Sequence, residues 1–500
     1  MKKFNKFYFE KYTFSKKTLK AYFYYSFDNK EFFEEKIDFK NWNINLKNHD
    51  DKIINKLLFY LHLALWISYY KLFPTKKLII KSWFLDNYQV KFWKKFYLNW
   101  LWEFFITNDI DPKNLLCFEN QNCSQSEEEN NSSNYFINPP LGPLPIKEGK
   151  YKKEKNIWKN KLIDSCLCNN DKSLLLLWWW KDSIVSYSFI KDTDFDLFVF
   201  GKIDRIKKNV SKIIWKKPIL VKREISENLF KLNKLWYYNW HVPITWIIAF
   251  VSVLYSYIYW YKNIILSNEK SSNEENITWK WIKINHQYSK SIEFEKDFSK
   301  YISRYIGKEV RYFSLLKWIY EYKIAEIFSK QKKFFKVFSS CNKNFTLQKR
   351  NSSPASQVLR LSQKGEIIPL TPLIRGKIMI FIKNLFWLHP KKTNWCNKCP
   401  KCVFVFLILS NFLTLKELET IFWKNLFESK SLENTFAELI WLKKHKPFEC
   451  VWTIEESVLS FYRAIKKYPE NNFYILEKFK KDILKKTKSL NMESVEKEFL

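Results

Sequence analysis

Between residues 173 and 269 the chain alternates short apolar runs with stretches that carry apolar residues on one side only. SLLLLW (Ser173 to Trp178) is short, apolar and bounded by polar residues, which predicts a buried strand, and KDSIVSYSFIK after it predicts a helix. DLFVFG (Asp196 to Gly201) and KPILVKREI (Lys217 to Ile225) predict two more strands, and NIILSNE (Asn263 to Glu269) a fourth. Strands alternating with helical stretches predict an α/β fold with a parallel sheet and crossover helices. Before the fourth strand, ITWIIAFVSVLYSYIYWY (Ile244 to Tyr261) is uncharged and just reaches membrane-spanning length; it is expected to be a buried helix of the α/β domain, with no membrane insertion. From Val403 onward the pattern is helical, as in LKELETIFWKNLFES and the basic tail. No internal repeat of fixed period stands out.

Two stretches break this pattern. QNCSQSEEENNSSN followed by NPPLGPLPIKEGK is polar and rich in proline, and so is KRNSSPASQVLRLSQKGEIIPLTPLIRGK. The expected division is an N-terminal domain over 1–120, a linker or insertion over 121–160, an ATP-binding domain over 161–345, a second insertion over 346–384, and a cysteine-cluster and helical region over 385–500.

Composition changes how the letters are read. The formal net charge of +35 would suit a nucleic-acid or anionic-membrane partner. The excess, however, lies in Lys, Asn, Ile, Phe and Tyr, whose codons are AT-rich, so the charge reads as mutational bias and no nucleic-acid partner is expected. At a usual frequency of about 7% a chain of 500 residues should hold roughly 35 glycines. It holds 6, beside 23 tryptophans, and many of those tryptophans stand where backbone chemistry asks for glycine. UGA codons read as glycine in the source and translated as tryptophan would explain both counts. On this reading Trp246 and Trp260 are glycines, and YLNWLWEFFITNDIDP (Tyr97 to Pro112) becomes a glycine-rich loop. Nine cysteines without an apolar stretch behind the basic N-terminus point to a cytoplasmic setting.

The segment at Trp178, Trp179, Trp180, Lys181, Asp182 and Ser183 then reads GGGKDS between a strand and a helix. It resembles the SGGxDS loop of PP-loop ATP pyrophosphatases, of the adenine nucleotide alpha-hydrolase-like fold. Glycines there let backbone N–H groups approach phosphates, and the helix N-terminus favours their charge. Three indoles as written would crowd the loop. Cys396, Cys399 and Cys402 form a CxxCxxC run to which Cys341 could add a fourth thiolate, a set that suits a structural Zn2+, with an iron–sulfur cluster or unligated thiols as the alternatives.

Longer stretches resemble the family of UDP-N-acetylmuramoyl-L-alanyl-L-glutamate epimerases, MurL. They are Arg223 to Phe250, ILSNEKSSNEEN (Ile265 to Asn276), WKWIKINHQYSKSIEFE (Trp279 to Glu295), FSSCN (Phe338 to Asn342), WCNKCPKCVFVFLILSNFL (Trp395 to Leu413) and HKPFECVWTIEE (His445 to Glu456). Restoring glycine sharpens each match, as in NGHVPITGI and HKPFECVGTIEE. The resemblance implies an isomerase that inverts the terminal L-glutamate of a UDP-muramoyl dipeptide, with ATP and Mg2+ and release of AMP and pyrophosphate. His286, Tyr288, Lys290 and His241 are the candidate proton-transfer groups, with Cys450 in a further matched stretch. Ser267, Asn268 and Glu269 are candidates for substrate binding, and Glu455 and Glu456 for contacts to ATP, magnesium or substrate. Two other readings stay open. One is a PP-loop pyrophosphatase acting on a nucleobase or tRNA; the other is a basic protein that binds nucleic acid or membrane through literal tryptophans.

Overall fold

In the computed structural model the described residues are 3–118 apart from 43, 171–342 apart from 178–179, 236, 240–241, 243, 274–276, 280–281, 286 and 309, and 394–499 apart from 443–452, 470–471 and 491. The chain opens with a meander, β1 (Lys6–Ser15), β2 (Lys20–Phe27) and β3 (Glu31–Asp38), paired antiparallel. Alternate residues Ala21, Phe23, Tyr25 and Phe27 of β2 are buried, as a sheet with one packed face requires. Helix α1 (Asp51–Leu65), capped by Asp50, covers that face and runs into the short α2 (Ile67–Tyr70). Strand β4 (Lys77–Ile80), helix α3 (Asn87–Thr107) and strand β5 (Cys117–Phe118) follow, with β4 parallel to β1 and β5 parallel to β4.

The next part is the α/β alternation that the apolar pattern predicts: β6 (Ser173–Leu176), α4 (Lys181–Ile190), β7 (Phe195–Phe200), α5 (Arg205–Ile214), β8 (Ile219–Glu224), α6 (Glu227–Lys234), α7 (Ile244–Tyr259) and β9 (Asn263–Leu266). A small hairpin, β10 (Ile277–Trp279) and β11 (Ile282–Ile284), precedes α8 (Ile292–Tyr305), β12 (Arg311–Ser314) and α9 (Glu321–Ser329). The rest is helical: α10 (Pro400–Ser410), α11 (Leu415–Phe422), α12 (Glu433–Leu439), α13 (Ile454–Lys467), α14 (Tyr474–Ser489) and α15 (Met492–Phe499). The strands form one sheet in the order β12-β9-β6-β7-β8-β3-β2-β1-β4-β5, with β12 to β8 all parallel and β8 antiparallel to β3.

The parallel strands are buried on both faces, which is why they read as unbroken apolar runs. Leu174 and Leu176 belong to one core with α1, α3, α7 and α8; Leu175 and Leu177 belong to the other with α4, α9 and the C-terminal helices. Helix α7 is buried along nearly its whole length, and among the described residues no helix is long and apolar enough to cross a membrane.

One stretch departs from expectation. Tyr97 to Thr107 lies in α3 and not in a glycine-rich loop. A capping box between Asp86 and Gln89 starts this helix, and Trp93, Phe96, Tyr97, Trp100, Leu101 and Phe104 form its buried stripe, so side-chain packing sets the conformation.

The backbone separates the tryptophans into two kinds. Among the described residues ten non-glycine positions have positive φ: four are Asp or Asn, two are Leu, and four are Trp215, Trp260, Trp423 and Trp441. All four tryptophans follow a helix, and all are at least half exposed. At Trp215, Trp260 and Trp441 the next residue donates its N–H back across the helix end, Lys216 to Ser211, Tyr261 to Ser256 and Leu442 to Ala437, the bond of a Schellman cap whose left-handed residue is ordinarily glycine. Gly201 and Gly307 also have positive φ. Trp246 is different: it sits inside α7, is 1% exposed, and its indole N–H donates to the Ala64 carbonyl at 3.1 Å.

Candidate functional site

Numbered among themselves, the parallel strands β6, β7, β8, β9 and β12 lie in the order 5-4-1-2-3. Chain direction across the sheet therefore reverses between β6 and β9, which makes the carboxyl ends of those two strands the sheet's topological switch point. The loop from β6 to α4 and the segment after β9 meet there. Trp180 is the N-cap of α4 in extended conformation, and Lys181 and Asp182 form its first turn, both buried. Ser183 Oγ turns back to donate to the Trp180 carbonyl at 3.0 Å.

Lys181 is completely buried, its ammonium bonded to Asp182 Oδ1 at 2.5 Å and to Glu321 Oε2. Burial opposes this charge, but the two carboxylates outweigh it and hold the Lys181 pKa above its usual value. Glu321, the first residue of α9, has its pKa raised as well: burial and then the nearby Asp182 charge push it well above the usual carboxylate value, against Lys181 and Lys401. Lys401, in the first turn of α10 and 2% exposed, lies 3.9 Å from Glu321 Oε1. Oxygens of Asp182, Glu269 and Glu321 lie within 4.8 Å of one another, all three residues buried. Among the described residues two ammoniums, Lys181 and Lys401, meet these carboxylates, and hard oxygen donors in this number suit a divalent cation such as Mg2+.

The Trp180 ring meets Lys401 and one further cation, Lys290. Lys290 Nζ lies 4.6 Å from its ring centre and Lys401 Nζ 4.8 Å. The indole thus occupies the space before the first turn of α4, the crowding expected of a tryptophan at that position. Ser267, at the end of β9, is buried, and among the described residues its Oγ has no hydrogen-bond partner. The Asn268 backbone is fastened to β12: its N–H donates to Ser314 Oγ at 2.6 Å, and its carbonyl accepts from that hydroxyl at 2.9 Å.

The remaining candidates divide. Tyr288 packs against Phe96 and Phe294 and donates to Asp297 at 3.4 Å; burial, then the charges of Glu293 and Asp297, push its phenol well above 10. Glu456 is fully buried and fastens two elements, accepting from Ser271 Oγ at 2.7 Å and from the Tyr322 N–H at 2.9 Å. Glu455, beside it, is half-buried. Trp178, Trp179, His241, His286 and Cys450 lie outside the described residues. Cys341, Cys396, Cys399 and Cys402 converge, with all four sulfurs within 4.8 Å of one another. Glu321 and Lys401 escape the sequence reading. Lys401 carries a faint signal, lying between two cysteines of the CxxCxxC run; Glu321 carries none, because its partner Lys181 is far away along the chain.

A doubly wound parallel sheet with buried charges at its switch point places the protein among the α/β proteins that bind ligands at strand carboxyl ends. The chain belongs to the MurL family: the MurL N-terminal domain model matches residues 1–142 and 153–315, and the MurL C-terminal domain model matches residues 382–494. Over 281 residues it is 29% identical to the UDP-N-acetyl-alpha-D-muramoyl-L-alanyl-L-glutamate epimerase of Micromonospora sp., covering 56% of this chain and 54% of that one. The enzyme of the same name from Xanthomonas oryzae pv. oryzae is 29% identical over 288 residues, 57% of this chain and 55% of the relative. The chain thus aligns with about half the length of the curated relatives it matches. No solved structure matches it.

Proposed function

We propose that this protein epimerises the terminal L-glutamate of UDP-N-acetylmuramoyl-L-alanyl-L-glutamate to D-glutamate, in cytoplasmic synthesis of peptidoglycan precursors, at the expense of ATP. Membership of the MurL family and the names of the relatives support the substrate and the inversion. The use of ATP rests on one observation: Lys290 and Lys401 both bring their ammoniums to the Trp180 ring, directly before the first turn of α4 at the sheet's switch point. With glycine at 178–180, the two ammoniums and the N-terminus of α4 face the same space, a setting for a polyphosphate and the PP-loop arrangement.

The chemistry explains the need for a nucleotide. A free carboxylate keeps the α-proton very weakly acidic, because its removal would place a second negative charge beside the first. Attack of the glutamate carboxylate on the α-phosphate expels pyrophosphate and gives an acyl-adenylate, whose carbonyl accepts the developing charge. A base removes the α-proton, an acid returns one to the opposite face, and water cleaves the adenylate to AMP and the D-glutamyl carboxylate. Asp182, Glu269 and Glu321 would hold Mg2+, which offsets phosphate charge when bound. Lys290 and Lys401 orient the phosphates, and Ser267 Oγ supplies a hydrogen bond to the ligand. His286 and His241 are the proton-transfer groups, with Lys290 a third candidate; Tyr288, deep in an aromatic core and with its pKa raised, is a supporting group.

The test is an assay of the chain with Trp178, Trp179 and Trp180 replaced by glycine, supplied with the UDP-muramoyl dipeptide, ATP and Mg2+. Stoichiometric release of AMP and appearance of D-glutamate are expected. Neither product, from a folded protein, overturns the proposal.

A further inference from the structure

Cys341 lies shortly after α9, and Cys396, Cys399 and Cys402 lead into α10, with residues 343–393 between the two segments. The two segments are sewn together around the sulfurs. Ser339 Oγ donates to the Asn394 carbonyl at 2.6 Å and accepts from the Cys341 N–H at 3.1 Å, while Asn397, at φ 53°, turns the chain between Cys396 and Cys399. Cys341 and Cys402 are fully buried, Cys399 nearly so, and Cys396 half-buried; none of the four is in a disulfide. The Sγ atoms of Cys396 and Cys402 are 3.6 Å apart and those of Cys399 and Cys402 3.4 Å. A zinc ion with sulfurs at about 2.3 Å in a tetrahedron sets them roughly 3.8 Å apart. An iron–sulfur cubane holds each cysteine on a separate iron and needs a wider spread.

We propose that Cys341, Cys396, Cys399 and Cys402 bind one zinc ion, and that this ion positions Lys401. Pro400 opens α10, and Lys401 stands between two of the ligands. Fixing Cys399 and Cys402 therefore fixes the turn that carries the Lys401 ammonium toward Glu321 and Trp180. The ion also joins the segment after α9 to α10 across the intervening residues, closing a long loop that packing alone would have to close.

Elemental analysis of the full-length protein tests the site without reference to catalysis. One zinc per chain is expected, lost in Cys399→Ser. Cobalt supplied to the chelated protein should give the intense sulfur-to-metal charge transfer and visible bands of a tetrathiolate site. Iron with acid-labile sulfide, or no stoichiometric metal together with no cobalt spectrum, overturns the site. The positioning role is read by amine labelling and mass spectrometry: Lys401 should be protected with zinc and labelled severalfold faster after chelation. Equal labelling, with the buried Lys71 of the N-terminal half still protected from the same reagent, overturns that role and leaves the metal assignment to its own test.

The left-handed tryptophans carry a separate inference. We infer that Trp215, Trp260, Trp423 and Trp441 are glycine in the protein made by its source. A β-carbon costs about 1–2 kcal/mol in this conformation, which glycine adopts freely, and each of the four indoles is half or more exposed. Peptides of the native protein spanning residues 215 and 423 should have the mass of glycine at both, from UGA codons. The mass of tryptophan, or UGG codons, overturns the inference.

Discussion

Where β3 meets β8, Glu35 accepts from Arg223 Nε at 2.6 Å and from Tyr69 Oη at 2.8 Å, while the guanidinium also donates to Ser68 Oγ at 2.7 Å. Where β6 and β9 end, Asp182, Glu269 and Glu321 gather around Lys181 and Lys401, and Glu321 Oε1 makes no hydrogen bond among the described residues. Both clusters are buried. In the first, one carboxylate meets one guanidinium, and both carboxylate oxygens are engaged, which fits a fastener joining the antiparallel meander to the parallel strands. In the second, three carboxylates gather around two ammoniums among the described residues, and burial and the neighbouring Asp182 raise the Glu321 pKa. An unbalanced cluster at a switch point is a place where a ligand completes the charge.

The largest effect that separates them is on stability. Replacing Arg223 by Met strands the buried Glu35 and should cost about 3–5 kcal/mol in denaturant unfolding. A loss below about 1 kcal/mol would end the view of this pair as the fastener. Glu321→Gln, in the glycine-restored enzyme, should do the reverse. AMP release should fall about 100-fold, as when a group aimed at developing charge is removed, while unfolding free energy stays within about 1 kcal/mol because glutamine keeps the shape of the side chain and Lys181 keeps Asp182 as its counter-ion. Destabilisation as large as that of Arg223→Met would erase the contrast.

A smaller effect lies in the meander's own core. His62 is buried, its Nε2 donating to the Tyr24 carbonyl at 3.2 Å, and burial lowers its pKa to about 3. The unfolded chain takes up this proton near pH 6.5 and the fold does not. Stability is therefore full above that pH and declines by about 1.4 kcal/mol per pH unit below it from this group alone. His62→Gln should flatten the slope between pH 6.5 and 5; an unchanged slope means that His62 is not its source. The smallest effect concerns helix ends. In the chain carrying tryptophan, Trp423→Gly should stabilise by about 1 kcal/mol, because the residue is left-handed and exposed. A loss of stability would show that the indole packs usefully.

Much of the fold was legible because it is local. The strands β6 to β9 and the helices between them are visible as apolar runs of the right length, and the CxxCxxC run with Cys341 marks the sulfur cluster. Tyr97 to Thr107 was misread because glycine scarcity was weighed there, whereas the i, i+3, i+4 spacing of its aromatics already spelled a helix. In the candidate site Lys181, Asp182 and Glu269 were found from the loop and the strand end; Glu321 and Lys401 were not, since nothing local marks them as partners of residues far upstream.

By itself the sequence determined the α/β alternation, the family resemblance and the demand for glycine at chosen points, because periodicity, motif spacing and backbone conformation act over a few residues. Only the tertiary structure decided that β8 pairs with β3 to make one sheet, that Glu321 and Lys401 close on the loop after β6, and which tryptophans stand in left-handed backbone and which fill a core. Those outcomes depend on burial and charge brought together from distant segments, which no local pattern encodes.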